Sequence, residues 1–450
     1  MNDTIAAIST ALGVGAISII RVSGQDSISI VNKLFKGKDL TKVDTHTIHY
    51  GHIVEKDEII DEVLVSVMKS PKTFTTEDIV EINSHGGIST TNKVLELLLR
   101  NGARLTEPGE FTKRAFLNGR IDLVEADGIM NIISSKTEKA RIQSINQLSG
   151  KVSNRIKELR SKLVSIISNI EVNIDYPEYE DIEEVTAEKI KPQLLEFKQE
   201  LEKIIDKSIE GKIINQGLNV GIFGRPNVRK SSLLNALLEE EKAIVTDIEG
   251  TTRDTVEGVI NLNGVILNII DTAGIRETDN VVEKIGVEKS KEIMEKCDLS
   301  ILILNNNDNL TEEDLNLLNT LQDKKHIVLI NKIDLENKLD LSKLETEYLK
   351  ISVAQDIGIE DLKDKIIELF NLGELETEDL TYLSDARSIS LLKIALSYIE
   401  ESILSIDNEE PIEIVEINIE EAWESLGEII GETYKEELLD ELFSRFCLGK

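Results

Sequence analysis

Gly224-Arg225-Pro226-Asn227-Val228-Arg229-Lys230-Ser231 follows an apolar run and opens the helix-forming segment Ser232-Leu233-Leu234-Asn235-Ala236-Leu237. This is the spacing of a phosphate loop. Backbone N–H groups at the helix start, from Asn227 to Ser232, cradle phosphates, the Lys230 ammonium reaches the β and γ oxygens, and the Ser231 hydroxyl ligates Mg²⁺. Asp271-Thr272-Ala273-Gly274 lies directly after a strand ending at Ile270, where an acid holds Mg²⁺ through its shell and the Gly274 N–H senses a γ-phosphate. Asn331-Lys332-Ile333-Asp334 follows the run His326 to Ile330. A carboxylate at Asp334 accepts two N–H bonds from a guanine edge, which adenine does not offer, so the nucleotide expected is GTP. Ser352-Val353-Ala354 stands where such domains place their last guanine-contacting loop and matches that pattern imperfectly.

Two features bear on hydrolysis. The loop Thr246-Asp247-Ile248-Glu249-Gly250-Thr251-Thr252-Arg253-Asp254 has the composition of a nucleotide-sensing switch, with Thr252 able to complete Mg²⁺ coordination. Ile275 follows Gly274 and cannot orient water as a glutamine does, so hydrolysis must use another device. Arg229 occupies a place where the phosphate-loop pattern has glycine, because the backbone there approaches phosphate closely, commonly at positive φ. It predicts weakened nucleotide binding in an intact fold.

The elements that must position these residues follow from periodicity. Strands at Asn219 to Phe223, Val265 to Ile270, Leu299 to Leu304, Ile327 to Ile330 and Leu349 to Ser352 alternate with helical segments, a doubly wound α/β pattern. Asn263-Gly264 between two alternating runs predicts a hairpin, hence one antiparallel pair. From Ile5 to about Asn118, runs such as Ala16 to Val22 and Glu62 to Val67 alternate with helical stretches such as Ile88 to Leu99, which reads as an α+β domain. Apolar residues at Ile142, Ile145, Leu148, Val152, Ile156, Leu159, Leu163, Ile166 and Ile170 predict one face of a long helix. The acidic stretch Asp175 to Asp181 breaks it, and a second helix is expected from Ala187 to Ser208. Helical periodicity returns after Leu372, so the α/β unit reads as inserted between two halves of a helical domain.

At 450 residues and 40% hydrophobic, the chain can fill several cores. Its formal charge of −33 opposes any broad basic surface for phosphate backbones, so contact with nucleic acid must be local or supplied by a partner. The only cysteines, Cys297 and Cys447, support neither a disulfide framework nor a zinc site, and a reducing cytoplasm is expected. The N-terminus lacks a basic n-region and no apolar run approaches the roughly 20 residues of a membrane span, so neither export nor insertion is expected.

Gly250-Thr251-Thr252-Arg253-Asp254, Asp271-Thr272-Ala273-Gly274-Ile275-Arg276 and the ending Phe446-Cys447-Leu448-Gly449-Lys450 resemble the MnmE/TrmE tRNA-modification GTPases. Asp3-Thr4-Ile5-Ala6-Ala7, His85-Gly86-Gly87 and the run Glu107 to Gly119 resemble that family's N-terminal domain. The resemblance implies a multidomain α/β plus α fold: an N-terminal α+β tetrahydrofolate-binding and dimerisation domain (1–118), a discontinuous helical domain (119–215 and 373–450, the latter carrying the C-terminal Cys motif) and an inserted Ras-like P-loop G domain (216–372). It further implies a homodimer and an FAD-dependent partner forming a heterotetramer or larger complex. Together they would modify the wobble uridine of tRNA at its fifth carbon, with 5-formyl- or 5,10-methylene-tetrahydrofolate as one-carbon donor. By motif position Asn227, Thr246, Ile248 and Thr251 would bind K⁺, which in this family does the work of an arginine finger, and Glu283 would position the attacking water. For folate the corresponding positions are Arg21, Glu81, Arg120 and Lys450.

Taken without the resemblance, Arg21 and Glu81 read as surface charges. The family often has lysine where Arg120 stands, and the two cations differ in geometry. His85 beside two glycines reads equally as a ligand contact or a helix-entry turn, Cys447 as a structural or folate-proximal residue with a catalytic thiol as the alternative, and Cys297 as core. Asn305-Asn306-Asn307 replaces an acidic residue common in the family, and the sequence assigns it no chemistry. A regulatory or ribosome-assembly GTPase without modification chemistry is the main alternative, and Arg229 keeps a pseudo-GTPase scaffold open.

Overall fold

A computed structural model describes residues 3–175, 187–240, 256–270, 294–322, 324–344, 346–370, 380–434, 436–446 and 448–449. In chain order the strands are β1 (Ile5–Ile8), β2 (Gly15–Ser23), β3 (Phe35–Lys36), β4 (Thr47–Glu55), β5 (Glu58–Met68), β6 (Ile79–Gly86), β7 (Arg104–Leu105), β8 (Leu218–Phe223), β9 (Val256–Leu262), β10 (Val265–Ile270), β11 (Leu299–Asn305), β12 (His326–Asn331) and β13 (Tyr348–Lys350). The helices are α1 (Ser27–Leu34), α2 (Ile88–Arg100), α3 (Glu110–Leu117), α4 (Leu123–Ser134), α5 (Glu138–Leu148), α6 (Lys151–Asp175), α7 (Ala187–Gln216), α8 (Lys230–Glu240), α9 (Glu312–Leu321), α10 (Ile359–Leu369), α11 (Ala386–Asp407), α12 (Ile412–Ile430) and α13 (Glu436–Ser444). The chain divides into two compact units. One comprises 1–130, 153–182 and 416–450, and the other 131–152 and 183–415.

In the first unit a seven-stranded sheet runs in the order β3-β4-β5-β6-β2-β1-β7. Its strands alternate: Ile20 and Val22 of β2, Val63, Val65 and Val67 of β5, and Val80 and Ile82 of β6 are buried in one core with Val31, Val94 and Leu98 of α1 and α2. The intervening residues face the other way. Phe116 of α3 and Leu123 of α4 form a second cluster with Leu439 and Phe443 of α13 and with Phe446.

The second unit carries a six-stranded sheet in the order β13-β12-β11-β8-β10-β9, parallel except for the antiparallel β9–β10 pair. That pair turns at Asn263-Gly264, as the dipeptide predicts. Strands β8, β11 and β12 are buried on both faces, which is why they read as continuous apolar runs and not as alternation.

The helical stretch differs from expectation. One continuous helix through Ile142 to Ile170 is not formed: α5 ends at Leu148, and Gly150 at φ 75° supplies the left-handed turn before α6. The two helices also bury different chemistry. In α6 Val152, Ile156, Leu159, Leu163 and Ile170 are buried as the spacing predicts, but α5 buries Ala140, Gln143, Ser144 and Gln147 and leaves Ile142 and Ile145 exposed. The buried amides are engaged: Gln147 donates to Ser384 Oγ at 2.8 Å, and Gln143 to the Tyr382 carbonyl at 3.5 Å. Helix α7 runs to Gln216, past the expected end at Ser208, because Ile214 joins the sheet core of this unit.

Candidate functional site

The phosphate loop leaves the buried strand β8 and enters α8 at Lys230, at the carboxyl ends of the parallel strands, where open α/β sheets bind ligands. Gly224 at φ 141° lies against β11 so closely that a Cβ would meet the Ile303 carbonyl oxygen at 2.5 Å. Val228 is buried, pinning the middle of the loop to the core. Asn227 and Arg229 adopt left-handed backbone, φ 66° and φ 70°. Asparagine tolerates that region better than most residues, whereas an arginine there is strained. Arg229 thus takes the conformation that sequence reasoning attributes to glycine, and its side chain is exposed.

Lys230 Nζ donates to the Gly224 carbonyl at 2.6 Å and the Arg225 carbonyl at 3.1 Å. Burial holds its ammonium below the ordinary lysine range, with the charge of Glu313 acting in the opposite direction. Ser231 is exposed in the first turn of α8.

Asn331, at the end of β12, is 1% exposed and joins three segments. Its Nδ2 donates to the Val228 carbonyl at 2.9 Å, while its Oδ1 accepts from the Lys332 and Val353 backbone N–H groups at 2.7 and 3.2 Å. The phosphate loop, the Asn331-to-Asp334 motif and the Ser352-to-Ala354 loop are thereby one construction, with Asn331 as its fastener. Asp334 Oδ1 accepts from the Ser352 hydroxyl at 2.5 Å. That bond holds the Asp334 carboxyl below the usual carboxylate range, assisted by the positive charges of Arg229 and Lys332. The guanidinium at position 229 is therefore felt by the carboxylate expected to read guanine.

Asn306 and Asn307, directly after the last β11 residue Asn305, also find a role. Asn306 Nδ2 donates to the Leu335 carbonyl and Asn307 Nδ2 to the Glu336 carbonyl, at 3.3 and 3.0 Å, and the Asn306 carbonyl accepts from Lys338 and Leu339 N–H. They fasten the loop that follows Asp334. Sequence reasoning missed Asp314 and Arg225, whose ion pair at 2.9 Å ties the loop to the start of α9. The signal for Asp314 was legible as Thr311-x-x-Asp314, a capping-box spacing. Cys297 packs against the core, and burial first, then Asp298, pushes its thiol up to about 12.

In the first unit, Arg21 of β2 and Glu81 of β6 are directly opposite in register and ion-paired, Nε to Oε1 at 2.9 Å. The Arg21 guanidinium lies 5.6 Å from the Phe111 ring centroid and 6.0 Å from that of Phe74. Arg120 stands 5.0 Å from the Phe74 centroid and donates to the Phe74 carbonyl at 2.8 Å. Phe74, not anticipated from sequence, is thus flanked by both arginines. Gly449 packs against Ile8 and Ser9 of the segment paired with β2, with Ser9 Oγ donating to the Gly449 carbonyl at 3.1 Å. His85, the penultimate residue of β6, donates its backbone N–H to Asp61 Oδ2 and holds Asp61 Oδ1 through Nδ1 at 2.7 Å. It precedes Gly87, the N-cap of α2, in keeping with the helix-entry reading. Thr246, Asp247, Ile248, Glu249, Gly250, Thr251, Thr252, Asp271, Thr272, Ala273, Gly274, Glu283, Cys447 and Lys450 lie outside the described residues.

A phosphate loop fastened to an aspartate-bearing loop at the ends of parallel strands defines a P-loop nucleotide-binding unit carried within a larger chain. The model "GTP-binding protein TrmE N-terminus" matches residues 4–120, and "MnmE helical domain" matches residues 123–447. The tRNA modification GTPase MnmE of Streptococcus thermophilus is 53% identical over 450 residues, covering 100% of this chain and 98% of its own. That of Bacillus cytotoxicus is 52% identical, covering 100% and 99%. The G domain of the T. maritima FeoB iron transporter is 31% identical over 34% of this chain and 98% of its own, with a TM-score of 0.26. The chain belongs to the MnmE family of tRNA modification GTPases.

Proposed function

We propose that this chain is the GTP-hydrolysing component of a tRNA wobble-uridine modification complex that uses a tetrahydrofolate one-carbon donor. The observation that carries the nucleotide half is Asn331, which binds the phosphate loop to the loops expected to read guanine. Lys230, released from the carbonyls of Gly224 and Arg225, carries its charge to the β- and γ-phosphates, and Asp334, oriented by Ser352, accepts the guanine N–H groups. Ser231 would hold Mg²⁺, with Thr252 completing the set, and Asn227 would hold K⁺ with Thr246, Ile248 and Thr251. An ion held there would supply charge between the phosphates, and Glu283 would position the attacking water.

For the folate half, the bonds of Arg21 reach Glu81 Oε1, leaving Oε2 to accept a pterin N–H, and the Phe74 ring offers a stacking face near Arg120. Gly449 beside β1 is consistent with Lys450 contributing. A homodimer is supported by the uncovered sheet face, where Ile17, Ile48, Tyr50 and Leu64 are exposed and Tyr50 pairs with Leu64 across the strands. The domain reading is 1–118, 119–215 with 373–450, and 216–372, in the cytoplasm with an FAD-dependent partner. Among the described residues no helix is long and apolar enough to cross a membrane.

Arg229 attenuates the nucleotide cycle in this reading, by the bulk of its side chain in the phosphate loop and by bringing positive charge toward Asp334, while its left-handed backbone strains the loop with or without nucleotide. Mass spectrometry of tRNA nucleosides from a deletion strain, with and without the chain restored, tests the proposal. Loss of the modified wobble uridine and its return on complementation are expected. An unchanged nucleoside profile would favour a regulatory GTPase.

A further inference from the structure

A loop with two non-glycine residues in left-handed conformation keeps its shape only where its surroundings over-determine it. Gly224 is wedged against β11, and the Val228 carbonyl is held by Asn331. The third attachment is Arg225. Its Nε donates to Asp314 Oδ1 at 2.9 Å, and Asp314 is 1% exposed. Asp314 Oδ2 meanwhile accepts from the Thr311 N–H at 3.1 Å and the Thr311 hydroxyl at 2.9 Å, closing the capping box of α9. A carboxylate shut away from water is thus filled on one oxygen by its own helix start and on the other by the phosphate loop. A buried carboxylate so paired tolerates little displacement, since each lost bond exposes its desolvation cost.

The carbonyl of Arg225 is, in turn, one of the two that hold Lys230 Nζ. We propose that Arg225 and Asp314 form a clamp that positions the phosphate loop, and through the Arg225 carbonyl the Lys230 ammonium, for the nucleotide phosphates. Both are positioning residues. This rests on the reading of the loop as the GTP site. The clamp makes the start of α9, outside every nucleotide motif, part of the binding machinery.

The test uses the full-length chain, in its own sequence and in the Arg229→Gly background. Affinities for GDP and GTP are read with methylanthraniloyl analogues, turnover by phosphate release, and folding by thermal unfolding. Arg225→Ala and Asp314→Asn should each weaken both nucleotides by about tenfold, with a smaller loss of kcat at saturating GTP. The double variant should be no weaker than the worse single, because both break one contact. Arg225→Lys, which keeps a donor for Asp314, should recover part of the loss. Wild-type affinity in Arg225→Ala, or additive losses in the double variant, would overturn the clamp. If Arg225→Ala fails to fold, the near-isosteric Asp314→Asn carries the same test. Lys230→Ala runs alongside: unchanged affinity there overturns the site itself, whereas loss there with none in Arg225→Ala overturns the clamp alone.

Discussion

Arg229→Gly separates backbone strain from side-chain obstruction in one position. The folded chain holds Arg229 at φ 70°, a conformation that costs an L-residue with a Cβ about 1–2 kcal/mol. Glycine removes that strain but restores about 0.4–1 kcal/mol of unfolded-state entropy. The net gain in stability of the nucleotide-free protein is therefore at most about 1.6 kcal/mol. Affinity is a separate quantity, since the strain is present whether or not nucleotide is bound. An expected tightening of about tenfold or more for GTP, about 1.4 kcal/mol, reports removal of the side chain from the path of the phosphates and of its charge from Asp334. Calorimetric titration with GDP and GTP measures affinity, and thermal unfolding without nucleotide measures strain. Arg229→Ala divides the effect further: it keeps the Cβ and the φ but loses the guanidinium, so it should recover part of the affinity and none of the strain. If Arg229→Gly binds and hydrolyses GTP no better than the parent chain, the reasoning fails.

Four further outcomes are expected. Asp334→Asn should weaken GTP by about 1–3 kcal/mol and admit xanthosine triphosphate, and an unaltered nucleotide preference would remove Asp334 from the base site. Asn331→Ala strands the Val228 carbonyl, which should lower thermal stability and nucleotide affinity together by about 1–3 kcal/mol; normal values in both would show that the fastener is dispensable. GTP turnover should be faster in K⁺ than in Na⁺ and lower in Glu283→Ala with affinity retained, so equal rates in the two salts would count against the ion. The Asp61 hydrogen bond raises the His85 pKa above its ordinary value. Its stabilisation is then fully present below the unfolded value of about 6.5 and lost as pH rises through the folded one. The difference in Tm between the parent chain and His85→Gln should shrink from pH about 5 to 9, and a difference that grows with pH would contradict the assignment.

Sequence alone determined much of the second unit. Its strands β8, β11 and β12 read as apolar runs because they are buried on both faces, and Asn263-Gly264 announced the hairpin because that dipeptide suits a tight turn. The phosphate loop and the Asn331-to-Asp334 motif were legible since their chemistry depends on residues close in the chain. Arg229 stood out for the same reason, as a local rule broken, and its left-handed φ bears out the backbone requirement. The face of α5 was misread: apolar periodicity pointed to Ile142 and Ile145, but Gln143 and Gln147 are buried because the segment around Tyr382 and Ser384 offers them partners. No spacing within α5 records a partner more than two hundred residues away. The same limit hid the Arg225–Asp314 pair, Phe74 between two arginines, and the service of Asn306 and Asn307 to the loop after Asp334. Periodicity and motif spacing encode what a residue does to its near neighbours, whereas a buried polar group is stabilised only by whichever donors and acceptors the tertiary fold brings to it.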